Sequence, residues 1–317
     1  MRSSSHTLDR DFYQGCGLFL EDPDEDLMPT PADVELYRAR GWWTSKALFT
    51  ADDLGLIEEA VALHQRGIRD RALPAPIKSY LDWREGNASA LKINDYVAYQ
   101  SRLVMQIALR PIIGAIAARL IGCDLVRLFN SSYVEKDPVA DGEAARVGWH
   151  TDKAYWQTCT SDQMITAWIP LHDVDITSGT LLTLDGSHLW KGGEELTVLQ
   201  REKNFICNDH VALERRLAEL GKPTRVSAME LRQGEVSFHH CLTFHGSAPN
   251  RADRARKALI LHLQDGENRY RPAFENGQRI TYNNDLMVRR LVDGSPDYAD
   301  PHFCPVLWPS SGPEVAL

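Results

Sequence analysis

No Cys-x-x-Cys pair occurs in this sequence, whose six cysteines stand apart at positions 16, 123, 159, 207, 241 and 304. That spacing speaks against a cysteine-based zinc site or a thioredoxin-like centre and leaves reduced packing residues. Nor is there a run of about 18 apolar residues; the most apolar stretch, 103–122, is interrupted by Gln106, Arg110 and Arg119. Positive charge is in deficit, with 35 Lys and Arg against 44 Asp and Glu and a formal net charge of -9. Affinity for a phosphate backbone needs the opposite balance, so nucleic acid is not an expected partner. The opening residues, Met1-Arg2-Ser3-Ser4-Ser5-His6, lead into polar residues where a secretory signal would turn apolar. The expectation is a soluble, cytoplasmic protein without a membrane partner.

With 317 residues and 43% apolar content, the chain can bury one substantial core. Residues 1–35 form an acidic, proline-containing segment, marked by Glu21-Asp22-Pro23-Asp24-Glu25-Asp26, that can bury little. Thr50 with Asp53 has the form of a capping box, and Leu54, Ile57 and Val61 follow at helical spacing until Gly67. A second helical stretch runs from about Ser101 to Leu120, with Ile112, Ile113 and Ile116 on its apolar face, Pro111 as a point of kinking and Gly122 as its stop. From Val126 the texture changes to short strands at 126–134, 163–171, 180–184, 235–244 and 257–264. Residues 235–245 alternate, with Ser237, His239 and His245 on a polar face and Val236, Phe238 and Phe244 on an apolar one. Such alternation suits a barrel wall around a polar interior. Residues 189–226 form a long, lid-like insertion with a short helix, Leu213, Leu217 and Leu220 in register before Gly221.

His150-Thr151-Asp152 is the first candidate for chemistry, because a histidine and a carboxylate two apart can hold one metal from one side of a strand. Alone it carries little weight, since the composition supplies between one and two such triplets by chance. Further on, His245-Gly246-Ser247 precedes Arg256 by eleven residues. Two histidines and one carboxylate form the facial triad suited to iron(II), with coordination positions left open.

The ordered set of Trp149-His150-Thr151-Asp152 with Tyr155-Trp156, then Asp185-Gly186-Ser187-His188, then His245-Gly246-Ser247 with Arg256, resembles the phytanoyl-CoA dioxygenase family of iron and 2-oxoglutarate oxygenases over roughly residues 125–265. The resemblance implies a mainly β fold with flanking helices, a double-stranded β-helix (jelly-roll, cupin-like) barrel. Its oxygenase domain would span 36–270; residues 271–317, rich in Pro, Asn and Asp, are expected as a C-terminal segment that wraps the outside or closes the cavity. The resemblance also implies His150, Asp152 and His245 as iron(II) ligands, and 2-oxoglutarate and O2 as cosubstrates. Arg256 would clamp the distal carboxylate of 2-oxoglutarate, Ser247 would add a hydroxyl donor, and Trp168 would line the cosubstrate pocket. Asp152 stands where halogenating relatives carry a small residue, which favours hydroxylation or another oxygenase outcome. Asp185 stands where the family more often has proline, a change that the turn tolerates.

His239 and His240 compete with His245 for the third ligand position. Along one continuous strand His239 and His245 would lie about 20 Å apart at ~3.3 Å per residue, so both could not bind one metal. Only His245 has the Gly-Ser and Arg256 context, and His239 is left to face the cavity. His172, His188 and His262 read as structural; Lys153, Tyr155 and Trp156 are packing residues or substrate contacts. The expected reaction is oxidation of a C–H bond of a small organic substrate in a biosynthetic pathway, with succinate and CO2 released. A cupin-type metal enzyme that does not use 2-oxoglutarate, or a non-catalytic barrel module, is the alternative.

Overall fold

The computed structural model describes residues 23–77, 80–139, 145–205 and 210–309. Most of the acidic segment expected at 1–35 therefore lies outside the described residues, but its last part is helical. Helix α1 (Pro31–Arg40) opens on a Thr30–Asp33 capping box with proline in its first turn. Helix α2 (Ala51–Gln65) is capped by Thr50 and Asp53 as the spacing predicts, and it buries Leu54, Ile57 and Val61. The apolar stretch that follows is two helices, α3 (Arg102–Ala108) and α4 (Pro111–Ile121). Pro111 divides them because it has no N–H to continue α3, and it serves α4 as an N-terminal residue. Gly122, at φ 71°, stops α4. Among the described residues no single helix is long and apolar enough to cross a membrane. The short helices α5 (Glu194–Arg201) and α6 (His210–Glu219) lie in the insertion.

The strands are, in chain order, β1 (Trp42–Thr44), β2 (Leu91–Asp95), β3 (Val126–Lys136), β4 (Val147–His150), β5 (Ile165–Pro170), β6 (Leu181–Leu184), β7 (Val226–Ala228), β8 (Ser237–His240), β9 (His245–Ser247), β10 (Arg256–Asp265), β11 (Ala273–Glu275), β12 (Gln278–Ile280) and β13 (Val306–Trp308). A seven-stranded sheet has the order β1-β8-β5-β10-β3-β13, with β2 also on β3. A four-stranded sheet has the order β4-β9-β6-β7, and β11 with β12 makes a separate hairpin. This is the jelly-roll arrangement with flanking helices; the two sheets remain separate and do not close into a hydrogen-bonded barrel.

The outer face of the large sheet packs on the helices in one apolar cluster that includes Leu54, Ile57, Ile113, Ile116, Leu128, Phe238 and Leu261. Burial of such side chains contributes roughly 1.5–3 kcal/mol each. A smaller cluster joins Leu196 and Leu199 of α5 and Leu213 and Leu217 of α6 to Trp149, Leu184 and Phe244. The insertion thus covers the outside of the four-stranded sheet. The C-terminal segment returns to the large sheet as β13, where α4 passes so close that a Cβ on Gly114 would lie 2.6 Å from Leu307 Cβ.

One expectation fails here. The strand expected over 235–244 ends at His240 and a new one starts at His245 in the other sheet. Thr243 N donates to His240 O at 2.8 Å, and Leu242 N donates to His240 Nδ1 at 3.1 Å, which folds the chain back on itself.

Candidate active site

A cavity of about 410 Å³ opens between the inner faces of the two sheets. His150 reaches it from the end of β4, Asp152 from the single helical turn that follows, and His245 from the start of β9, beside β4. One ligand atom from each lies within 4.8 Å of the others, and all three side chains are buried. His150 Nδ1 is held at 2.8 Å by Gly148 O and His245 Nδ1 at 2.9 Å by Thr243 O. A carbonyl accepts only from N–H, so each ring carries a proton on Nδ1 and turns Nε2 inward; at His245 burial opposes a second proton but the Asp152 carboxylate raises the ring's affinity for it, and a metal would displace that proton. Burial, with His245 beside it, pushes His150 down to about 3, so it is neutral near pH 7. Burial opposes a charge on Asp152 as well, but His245 and His239 hold its carboxyl well below the usual range. The set is a carboxylate with two imidazoles, the donors that iron(II) takes.

Asp152 has a further anchor that the sequence reading missed. Thr166 Oγ1 donates to Asp152 Oδ2 at 2.6 Å; with its proton so used, it accepts from His262 Nδ1 at 2.9 Å. His262, read from the sequence as structural, therefore lines the cavity. Strand parity could have found both residues: His262 lies six residues beyond Arg256 on β10, and Thr166 two before Trp168 on β5. His239 corrects the distance inferred for a straight strand. The turn at 241–244 brings its ring to 4.4 Å from that of His245, centroid to centroid. Its Nε2 is 3.4 Å from Asp152 Oδ2, and neither of its ring nitrogens has a close hydrogen-bond partner among the described residues. His240 faces away from the triad and lies 5.1 Å from the ring of His188.

Arg256, at the first position of β10, is 2% exposed and stacks over Trp168 with 5.5 Å from guanidinium carbon to ring centroid. Its Nε and Nη1 have no hydrogen-bond partner among the described residues. Burial pushes the guanidinium down to about 10, still charged at neutral pH. Ser247 lies on the same cavity, and its Oγ accepts from the buried Lys136 Nζ at 2.6 Å. That bond leaves the hydroxyl proton of Ser247 unused. Lys136 was not singled out in the sequence. Gly246, between His245 and Ser247, has no room for a side chain, since a Cβ there would lie 2.8 Å from Val147 O.

Tyr155 and Trp156 line the cavity, whereas Lys153 turns away to bond the carbonyls of Cys159 and Ser161. From the insertion come Phe205, whose ring lies 5.1 Å from that of His150, and Lys203.

The profile of the phytanoyl-CoA dioxygenase (PhyH) family matches residues 49–258, about two thirds of the chain. The chain belongs to the phytanoyl-CoA dioxygenase family. Among curated family relatives, a protein of Stutzerimonas stutzeri named "Probable alpha-ketoglutarate-dependent hypophosphite dioxygenase" is 31% identical over 136 residues, 43% of this chain and 44% of that protein. The peroxisomal phytanoyl-CoA dioxygenase of Bos taurus is 23% identical over 158 residues, 46% of this chain and 41% of that protein. Each match spans less than half the length of the relative. The phytanoyl-CoA dioxygenase family member also shares its fold with solved structures. The non-haem alpha-ketoglutarate-dependent epimerase SnoN from nogalamycin biosynthesis superposes with a TM-score of 0.62 at 22% identity, covering 87% of this chain and 97% of that one. EctD from S. alaskensis, solved with 2-oxoglutarate and 5-hydroxyectoine, gives 0.58 at 18% identity and covers 87% and 88%.

Proposed function

We propose that this protein is an iron(II)- and 2-oxoglutarate-dependent oxygenase that hydroxylates, or otherwise oxidises, a C–H bond of a small organic molecule in a biosynthetic pathway. The observation that carries the reading is Arg256, a buried cation with two unpartnered donors beside a His-Asp-His triad. An unpaired buried charge is costly, and a carboxylate offered by a ligand removes that cost. A metal enzyme without an acidic cosubstrate has no use for such a clamp.

In this reading His150, Asp152 and His245 hold the iron, which when bound supplies the activation of O2 coupled to decarboxylation of 2-oxoglutarate to succinate and CO2. Arg256 binds the distal carboxylate of 2-oxoglutarate through its planar fork, and Ser247 donates its hydroxyl to the same group. Trp168 fixes the plane of the guanidinium by stacking on it. Gly148 O and Thr243 O keep the two imidazoles in the tautomer that can bind metal, and Thr166 orients Asp152. Tyr155, Trp156 and Phe205 line the cavity around the triad. With Asp152 present, the third protein position is filled by carboxylate, which favours oxygen insertion over halide transfer.

The test is an anaerobic thermal-shift titration of the wild-type protein. Iron(II) should raise the melting temperature, and 2-oxoglutarate should raise it further only once metal is present. Each ligand at about 100 times its dissociation constant adds roughly 2.7 kcal/mol. Stabilisation by metal with no added effect of 2-oxoglutarate would overturn the reading in favour of a cupin-type enzyme without that cosubstrate.

A further inference from the structure

The cavity extends well beyond the triad, and at its far side stands an acid that the proposed chemistry does not use. Asp95 ends β2 on the inner face of the large sheet, where it pairs with Ser132 on β3. Ser132 pairs in turn with Ile260 on β10, and Ile260 with Trp168 on β5, so the four side chains form one row across the cavity floor. Three strand spacings of ~4.8 Å separate Asp95 from Trp168, or about 14 Å between backbones. Asp95 Oδ1 accepts from Ser132 Oγ at 2.8 Å and Oδ2 from Leu81 N at 3.1 Å. Both donors are neutral. Lys92, earlier on β2, is engaged by Glu135 and Asp137, and no cation acts on Asp95 among the described residues. Burial pushes the Asp95 carboxyl up, against the pull of its two hydrogen bonds, and the Asp82 carboxylate nearby adds to the rise.

Charge within the cavity makes this acid conspicuous. Given the oxygenase reading, a divalent metal, the Asp152 carboxylate, dianionic 2-oxoglutarate and the Arg256 guanidinium sum to zero, and Lys136, bonded to Ser247 and Ala248 four residues along β3 from Ser132, has its charge disfavoured by burial and by Arg256. At the mouth, Lys203 is offset by Glu275 at 3.6 Å. At the other end of the row Asp95 is a carboxylate with unfilled acceptor sites and no cation beside it among the described residues, next to Leu81, Ile93, Tyr96 and Tyr282. Leaving it charged among such groups is unfavourable unless an occupant of the cavity supplies the counter-charge.

We infer that the substrate carries a positively charged nitrogen on a compact apolar body, that Asp95 receives that nitrogen, and that the carbon oxidised lies several bonds away, toward His150 and Asp152. Tyr96 and Tyr282 flank the apolar part, and Ser132 holds the carboxylate toward the cavity. The inference rests on the oxygenase reading for its charge balance, and it makes Asp95 a specificity-determining residue.

The test uses the wild-type protein loaded with manganese(II) and 2-oxoglutarate, and three probes of matched shape: phenethylamine, phenethyl alcohol and phenylacetate. Dissociation constants come from ligand-observed NMR, and paramagnetic broadening reports which end of the probe lies near the metal. The amine is expected to bind about ten-fold or more tighter than the alcohol. Its ring protons should broaden more than those beside nitrogen. Asp95→Asn should abolish the preference while leaving the affinity for 2-oxoglutarate unchanged. Equal binding of amine and alcohol, no binding of the amine at millimolar concentration, a preference that survives Asp95→Asn, or greatest broadening beside nitrogen would each overturn the inference. If instead 2-oxoglutarate fails to bind the metal-loaded wild type, the oxygenase reading falls, whatever the probes show.

Discussion

The three side chains proposed to hold metal, and Arg256, face one cavity in opposite states. His150, His245 and Asp152 are each fixed by a hydrogen bond from or to the protein, so their geometry is set before any ligand arrives. Arg256 is as deeply buried but has two donors without acceptors, so its energy is set by what binds. The first arrangement gives precision and stability, and the second gives up stability in the ligand-free protein for affinity later.

Removing a ligand breaks the fixed half most severely. Asp152→Ala should abolish metal-dependent succinate formation, a loss well beyond the ~100-fold typical of residues that only orient a metal ligand. Retention of even a tenth of the wild-type rate would show that Asp152 does not hold the metal.

Arg256→Met separates the two halves. Affinity for 2-oxoglutarate should fall by roughly 30-fold to 1,000-fold, equivalent to about 2–4 kcal/mol. The ligand-free variant should be more stable than wild type by about 1 kcal/mol or more, and so melt higher, because an unpaired buried cation has been replaced by an apolar group of similar length. A lower melting temperature would mean that Arg256 is already satisfied without ligand.

Thr166→Val keeps the shape of the side chain but removes the proton donated to Asp152. Metal affinity should fall about 10- to 100-fold, as read by competition with a chelator. At saturating metal, affinity for 2-oxoglutarate should be unchanged; a parallel loss would mean that the two halves are coupled.

The change with the least effect on the site concerns a histidine outside the cavity. Burial, with Arg69 adjacent, pushes His64 down to about 4, below the 6.5 of an ordinary histidine. The unfolded chain then takes up a proton before the folded one does. The contribution of His64 is fully present above pH 6.5 and is lost at about 1.4 kcal/mol per unit as pH falls toward 4. Denaturant midpoints across that window should fall less steeply in His64→Gln than in wild type, and identical slopes would refute the assignment.

Much of the framework was legible because its causes are local. Thr50 with Asp53, Pro111 and Gly122 act through neighbouring backbone groups, so helix boundaries followed from residue type. The triad was legible through the spacing of its residues together with the resemblance. The turn after His240 was not, because it contains no Gly, Pro or Asn and because polar and apolar residues keep alternating through it to His245. Strand parity puts Thr166 and His262 on the cavity face, but their contacts and that of Lys136 were missed for another reason. What they touch depends on the register of β5 and β3 against β10, a long-range property that no single strand displays.

Gly246 limits how this protein can vary. A methyl group at that position would meet the backbone of β4, which no rotamer change can move aside. Gly246→Ala would therefore wedge β9 away from β4 and draw His245 from His150, though residue 246 itself takes no part in the chemistry. In a saturation library across the site, position 246 should tolerate fewer replacements than Ser247 beside it. The most restricted letter of the His-Gly-Ser motif would then be the one set by the thickness of a neighbouring strand.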